Sequence, residues 1–326
     1  MSPQVNRIEL AKRFLQEQQQ QRDDILGAWV GGSTAQGEDT ESSDIDMILV
    51  VSGEERAMQR GGVDTWLEGV YVEAATMPIT WIGSAEETLS NPFFATHMNH
   101  ALILYDATGI LTQLQQAVQA SYMEPHWLKL RLQFWLDEVS RQVQGLQTAI
   151  NQHNPLQICL YAGHAMWGFI SVPLLHIGLA PSSSRGLLQL ASVNKRLHDQ
   201  IADFEGSRAM HTQDILAMEP LYREWIPFAN FDEKGNAPEY LAKKAVWLAQ
   251  QGFPQAALHA LWVYLHLIVK DCIDHEEKVE PTTALAQRWL EVVKWDNEAV
   301  LHQKGAMAQT LLQELTEFIE PTLPQR

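Results

Sequence analysis

Two carboxylates stand two residues apart in an otherwise apolar segment, Asp44-Ile45-Asp46 followed by Met-Ile-Leu-Val-Val. At the spacing of a β-strand, both side chains project from the same face. Adjacent carboxylates repel each other, and a divalent cation removes that conflict. Mg²⁺ prefers carboxylate oxygens and leaves coordination positions open for phosphate oxygens. The spacing therefore predicts a Mg²⁺ site at Asp44 and Asp46.

A turn rich in glycine and serine precedes these acids, with Gly32 and Ser33 following an apolar segment. Glycine lets backbone N–H groups approach a bound anion closely, and the serine adds a hydroxyl. Turn and acids together predict a metal–triphosphate site. Gly32 and Gly37 also have the glycine spacing of a P-loop. However, Glu38 and Asp39 stand where that motif needs Lys and Ser or Thr, which excludes it.

A two-metal site needs a third carboxylate on a neighbouring strand. Asp64, Glu68 and Glu73 are the candidates. Glu73 lies inside the predicted strand 70–77 between apolar neighbours, where a charge requires a partner. We therefore predict Glu73 as the third metal ligand; the alternative is an outward-facing strand residue.

The run Gly-Ser, ten residues, Asp-Ile-Asp resembles the signature of nucleotidyltransferases of the DNA polymerase β superfamily. The resemblance to the core of that superfamily covers about residues 25–120, and it is closer to the antibiotic nucleotidyltransferases of the kanamycin and lincosamide type. In that family the serine contacts the terminal phosphates and the two acids hold Mg²⁺. The resemblance implies these roles for Gly32, Ser33, Asp44 and Asp46.

The kanamycin enzyme also has acids at the positions that match Glu73 and Asp64. The match implies that Asp64 contacts the substrate; the alternative is that Asp64 is simply a charged residue of a loop. Residues 132–143 and 161–167 resemble that enzyme loosely. In the kanamycin enzyme, the general base is a glutamate on the first long helix of the second domain. The match implies Glu138 as the base, with Asp137 as the alternative and a solvated helix face as the competing interpretation for both.

The predicted elements divide the chain into two parts. Four segments before Tyr122 have the apolar, β-branched content of strands: Ile25–Val30, Ile45–Val51, Val70–Met77 and Ala101–Tyr105. Pro78–Ile82 is a candidate extension of the third strand. After Tyr122, long segments of 3.6-residue periodicity predict helices, several of which begin with proline. The last of these predicted helices spans Thr282–Phe318. We therefore predict an α+β fold. A mixed-sheet nucleotidyltransferase core at residues 1–121 is followed by an all-α helical bundle at residues 122–326.

Composition narrows the classes of partner. The 326 residues include 40 acidic and 23 basic side chains, for a net charge of −17. Such a surface repels nucleic acid and anionic membranes, so we expect neither as a partner. No uninterrupted apolar run reaches the roughly 18–20 residues of a membrane span, and the first residues lack a signal-like stretch, which predicts a cytoplasmic protein. Two cysteines cannot form a disulfide framework or a four-ligand zinc site.

Together with the metal–triphosphate motif, the resemblance implies a Mg²⁺-dependent enzyme that transfers a nucleoside monophosphate, AMP from ATP, to a hydroxyl and releases pyrophosphate. Residues 1–120 carry 6 basic and 17 acidic residues, which suits a small cationic acceptor such as an aminoglycoside-like compound, and thus a role in antibiotic resistance. The alternatives are a regulator or antitoxin that nucleotidylates proteins, and an inactive nucleotide-binding module. The resemblance is compatible with a homodimer that shares its active sites.

Four further side chains have weaker signals. His97 and His100 lie one helical turn apart, and we interpret them as a packed or solvated pair rather than as metal ligands. Arg56 and Arg60 are the only Lys or Arg side chains in residues 52–121, after the predicted metal-binding strand. They either reach the triphosphate or lie on a surface helix.

Overall fold

The structure is a computed structural model that describes residues 6–53, 64–229 and 237–322. These residues form two compact units. Unit 1 contains the described residues up to Arg131, and unit 2 contains the described residues from Leu132 onward. The boundary falls within one long helix, Pro125–Asn151. The functional boundary at residue 121 stays a prediction.

Unit 1 is built on a mixed five-stranded sheet in the order β3-β4-β2-β1-β5. The β2–β4 pair is parallel, and the other three pairs are antiparallel. The strands are β1 (Ile25–Val30), β2 (Ile45–Val51), β3 (Thr65–Leu67), β4 (Val70–Pro78) and β5 (Leu102–Asp106).

Helices and apolar clusters cover both faces of this sheet. One cluster joins Phe14 of the first helix to Ile45 of β2 and Val72 of β4; a second joins Trp29 of β1 to Met98 and to residues of the following helices. The helices are α1 (Arg7–Gln21), α2 (Gly32–Ala35), α3 (Ala85–Ser90), α4 (Pro92–His100) and α5 (Ile110–Ser121).

All the regular elements in the described residues of unit 2 are helices. The unit begins within α6 (Pro125–Asn151) and continues through α7 (Pro155–His176), α8 (Gly186–Val193), α9 (Lys195–Glu205), α10 (Thr212–Arg223), α11 (Ala237–Gln250), α12 (Pro254–Ile273), α13 (Glu276–Val292) and α14 (Glu298–Ile319). α7 and α12 each have a proline in the first turn. A backbone N–H has no acceptor within the helix at that position, so proline, which lacks the N–H, favours the start of a helix there.

α7 and α12 pack closely against each other. Both are long and apolar enough to cross a membrane when judged by length and composition alone. However, 78% and 72% of their most apolar windows are buried within the structure, as in the core helices of a folded domain. Polar interruptions such as Ser171 are accommodated inside the helices, so the sequence criterion of an unbroken apolar run missed both segments.

The structure confirms the predicted fold class, a mixed-sheet core followed by helices. Three elements differ from the predictions. The short strand β3 was not predicted because only three residues form it. Residues 79–81 form a turn of 3₁₀ helix rather than an extension of β4. The single helix expected over residues 282–318 is interrupted between α13 and α14, where Lys294 adopts a positive φ of 62°.

Candidate functional site

Three carboxylates converge at the ends of two neighbouring strands. Asp46 of β2 pairs directly with Glu73 of β4 in the parallel ladder, and Asp44 immediately precedes β2. One ligand oxygen from each of the three lies within 4.8 Å of the others. Ile45, between the two aspartates, is fully buried in the core. Strand alternation therefore anchors the strand on one face and presents both aspartates on the other.

The glycine turn abuts this cluster. Gly32 has a left-handed φ of +58°, and a Cβ at that position would overlap Oδ2 of Asp46. The backbone N–H of Gly31 donates to the carbonyl oxygen of Asp46 at 2.8 Å. Only glycine combines this conformation with so close an approach. The turn and the carboxylates are consequently one structural assembly.

Side chains of the short helix α2 and of its C-cap residue, Gln36, hold the turn against β2. Thr34 is buried, and its hydroxyl donates to the carbonyl oxygen of Asp44 at 3.0 Å. The Gln36 amide donates to the carbonyl oxygen of Gly32 at 3.1 Å. The Ser33 hydroxyl, in contrast, has no hydrogen-bond partner among the residues that the structure describes, and its side chain is half-buried. It is available to a ligand.

Arg7 fixes the loop between the turn and β2. This buried side chain of α1 donates to the carbonyl oxygens of Ser43 at 2.9 Å and Glu41 at 3.0 Å, and it pairs with Asp39 at 3.1 Å. A guanidinium group suits this role because its donors point in several fixed directions. Sequence reasoning missed Arg7, whose only signal is a cation on the apolar face of a helix.

Tyr71 extends the polar surface along β4. It is buried against Trp66 of β3, with ring centroids 5.4 Å apart, and its hydroxyl donates to Asp64 at 3.0 Å. Burial first, and then the charge of Asp64, raises the pKa of Tyr71; Glu73 and Asp44 contribute to the same shift. Asp64 thus lies near the carboxylate cluster, where it accepts a hydrogen bond rather than projecting as an isolated loop charge.

His97 of α4 also lies against the turn. A Cβ on Gly31 would be 3.2 Å from His97 Nδ1 and 4.0 Å from Cβ of Asp46. The imidazole is exposed, yet the atoms packed around it lower the pKa of His97, with a smaller contribution from His100. His100 instead contacts Asn99 and the ring of Tyr122.

The carboxylate cluster fits a divalent cation. Three anionic groups within 4.8 Å of one another repel strongly unless a cation or protons compensate them. They offer only oxygen ligands, the set that Mg²⁺ prefers. Glu68, in contrast, points to Arg13 of α1 at 2.7 Å in an exposed ion pair. Of the three acids considered for the third position, Glu73 is the one in the cluster.

Glu138 lies in unit 2, on α6, and is half-buried. Its carboxylate accepts hydrogen bonds from Arg141 and Gln142 of the same helix, and His164 Nε2 of α7 is 3.6 Å away. Asp137 is exposed and accepts a hydrogen bond from Gln133. The catalytic role of Glu138 stays a prediction. Arg56 and Arg60 lie outside the described residues.

One comparison with known proteins covers the part of the chain that carries this site. Residues 8–89 match the family model of the nucleotidyltransferase domain, which supports a transferase of nucleoside monophosphates in general. The three clustered acids and the glycine turn lie inside the match; Glu138 lies outside it. The chain is also similar to a nucleotidyltransferase-like protein from Exiguobacterium sibiricum, with 12% identity, coverage of 96% of this chain and 91% of that chain, and a TM-score of 0.33. No curated protein matches the chain.

Proposed function

We propose that this protein is a Mg²⁺-dependent nucleotidyltransferase that moves AMP from ATP to a hydroxyl group of a small cationic acceptor. The observation that carries the proposal is the cluster of Asp44, Asp46 and Glu73 beside the turn at Gly32 and Ser33. The distances within the cluster, its oxygen-only donor set and the match of residues 8–89 all support it. The resemblance to kanamycin-type enzymes stays a prediction.

Asp44, Asp46 and Glu73 would hold the divalent cation. When bound, the cation neutralises phosphate charge and makes the α-phosphorus more electrophilic. The turn would bind the β- and γ-phosphates through its backbone N–H groups and the free hydroxyl of Ser33. This contact fixes the triphosphate relative to the cluster, because Gly32 and Asp46 are in direct contact.

In the transfer, the oxygen of the acceptor hydroxyl bonds to the α-phosphorus of ATP. The bond between the α-phosphorus and the α,β-bridging oxygen breaks, and pyrophosphate leaves. The hydroxyl proton must go to a base. We propose Glu138 for this role, since its carboxylate is half-buried and is held by Arg141 and Gln142.

The acidic character of unit 1 supports a cationic acceptor. Within residues 6–53 and 64–121, every basic side chain that the structure describes pairs with a carboxylate: Arg7, Lys12, Arg13 and Arg22. The remaining acids give this part of the chain a strongly negative field, which concentrates cations at a cleft. An aminoglycoside-like amine has the complementary charge and carries several hydroxyl groups.

The direct test is incubation of the protein with Mg²⁺ and ATP labelled at the α-phosphate, against a panel of aminoglycosides, lincosamides and proteins. We expect label on a cationic small molecule and stoichiometric release of pyrophosphate. Asp44→Asn with Asp46→Asn provides the inactive control. Label on protein alone would support the regulator alternative, and no transfer to any acceptor together with no nucleotide binding would contradict the proposal.

A further inference from the structure

The turn at Gly31 to Ser33 has a neighbour that the proposed function does not use. Asp46 borders the turn at Gly32, and His97 of α4 borders it at Gly31. α4 packs against α2, so this position is fixed by two contacting helices rather than by a loose loop. Of the side-chain atoms that a Cβ on Gly31 would approach, Nδ1 of His97 is the nearest, at 3.2 Å.

The imidazole of His97 is open to a ligand. Its side chain is exposed, and no residue in the described ranges 6–53, 64–229 and 237–322 hydrogen-bonds it. A neutral imidazole always carries one ring N–H donor and one acceptor nitrogen. His100, one turn further along α4, is engaged by Asn99 and lies edge-on to Tyr122. The two histidines therefore have different surroundings.

Within the described residues 6–53 and 64–121, few other side chains near the turn can donate to a phosphate. All four basic side chains in residues 6–53 and 64–121 are paired with carboxylates. Arg7, the one that reaches the loop after the turn, is buried and holds the backbone of that loop. A triphosphate at the turn would consequently meet Ser33 and His97 as its side-chain donors from this part of the chain.

We propose that His97 is a phosphate-binding residue that donates a ring N–H to an oxygen of the β- or γ-phosphate of the nucleotide. This inference rests on the proposed function, since it presumes a triphosphate at the turn. The imidazole, the turn and the carboxylate cluster would then all contact the bound metal–triphosphate. The residue would select triphosphates over monophosphates, which lack those oxygens.

The test measures affinity for an α,β-methylene analogue of ATP, and for AMP, by calorimetry in Mg²⁺. The variants are His97→Ala, His97→Phe and the matched control His100→Ala. We expect both His97 variants to bind the ATP analogue about tenfold more weakly, the loss of roughly one hydrogen bond to a charged group. Their affinity for AMP should be unchanged, and His100→Ala should bind both ligands as the wild type does.

Three results would overturn the inference. Wild-type affinity of His97→Ala for the ATP analogue would show that His97 makes no useful contact. If His97→Phe bound the ATP analogue as the wild type does while His97→Ala bound it more weakly, the ring would contribute by packing rather than by donating a hydrogen bond. Equal losses for AMP and the ATP analogue would place His97 near the nucleoside. If the wild-type protein binds the ATP analogue and transfers AMP in any of these cases, the proposed function stands without His97; if it does neither, both fail.

Discussion

The carboxylate of Asp46 occupies the space that any side chain on Gly32 would need. The contact joins β2, which carries Asp46 of the carboxylate cluster, directly to the glycine turn. Gly37, in the following loop, provides a comparison. It too has a left-handed φ, of +68°, but a Cβ there would meet no atom within 4 Å.

We predict that Gly32→Ala abolishes AMP transfer and weakens nucleotide binding at least tenfold, because the new methyl group displaces Asp46. Gly37→Ala should only lower the free energy of unfolding, by about 1 kcal/mol, through backbone strain. Urea denaturation and calorimetric titration with the ATP analogue separate the two effects. Equal nucleotide affinity in the two variants would contradict the coupling of turn and metal site.

Removal of one carboxylate from the cluster should weaken binding of a divalent ion. We expect Asp44→Asn, Asp46→Asn and Glu73→Gln each to bind Mn²⁺ at least tenfold more weakly, with an unchanged or higher free energy of unfolding without metal, because like-charge repulsion is relieved. Titration of Mn²⁺ monitored by electron paramagnetic resonance measures the affinity. Glu68→Gln is the control, since its exposed pair with Arg13 contributes little to stability. An equal loss of Mn²⁺ affinity in Glu68→Gln would indicate a general effect of negative charge rather than direct coordination of the ion by the three clustered carboxylates.

Arg7→Ala should destabilise unit 1 by about 2–4 kcal/mol, because it leaves the carbonyl oxygens of Glu41 and Ser43 without their donor. The loop before β2 should become sensitive to proteolysis in the same variant. Arg13→Ala is the matched control on the same helix; its ion pair is exposed, so we expect a change below about 1 kcal/mol. Chemical denaturation and limited proteolysis test both statements. If Arg7→Ala lowered the free energy of unfolding no more than Arg13→Ala does, the loop would keep its conformation without Arg7.

The stability of unit 2 should fall as the pH falls below about 6.5. Burial, with help from His164, lowers the pKa of His266 to about 3 from an ordinary value of 6.5. Between these values the unfolded chain binds a proton that the folded chain does not, so the free energy of unfolding decreases with decreasing pH. At roughly 1.4 kcal/mol per pH unit, the loss between pH 6.5 and 5 is about 2 kcal/mol.

Denaturation curves at several pH values check this prediction. His266→Leu should have a flatter pH dependence than the wild type, because it has no proton to bind in the unfolded state. His302→Asn is the control, since His302 is half exposed on α14 and its removal should leave the slope unchanged. A wild-type slope in His266→Leu would assign the pH dependence to other groups.

Glu138→Gln should lower kcat by roughly 10²–10⁴-fold and leave nucleotide affinity unchanged, if Glu138 is the general base. The variant should also lose the rise of rate with increasing pH on the acid side, because no carboxylate is left to deprotonate. Asp137→Asn, at the neighbouring exposed position, is the control and should behave as the wild type. The measurement is the pH–rate profile with an accepted substrate. Wild-type kinetics in Glu138→Gln would place the base elsewhere.

Local spacing along the chain determines much of unit 1. The two-residue interval between Asp44 and Asp46, and the burial of the apolar residue between them, are properties of a strand that need no tertiary information. The need for glycine near an anion is likewise local. Both predictions depend only on the backbone of a few consecutive residues, which is why the pairing of Asp44 with Asp46 beside a glycine turn could be anticipated.

Contacts between distant segments could not be predicted in this way. The sequence indicates that Gly32 is part of a turn, but only the packed structure shows that Asp46 fills the space beside it. The spacing of His97 from His100 predicts no more than a packed or solvated pair, because it carries no information about what faces α4. The position of His97 beside Gly31 results from the packing of α4 on α2.

The sequence by itself therefore determined the strand that carries Asp44 and Asp46, the turn before it, and the change from a mixed sheet to helices. Helical and strand periodicities are short-range properties, so they can be recognised in a single sequence. Only the tertiary structure decided that Glu73 rather than Glu68 joins the aspartates, that Arg7 holds the loop, and that His97 flanks the turn. Each of these depends on register between strands or packing between helices, which is set by side chains far apart in the chain.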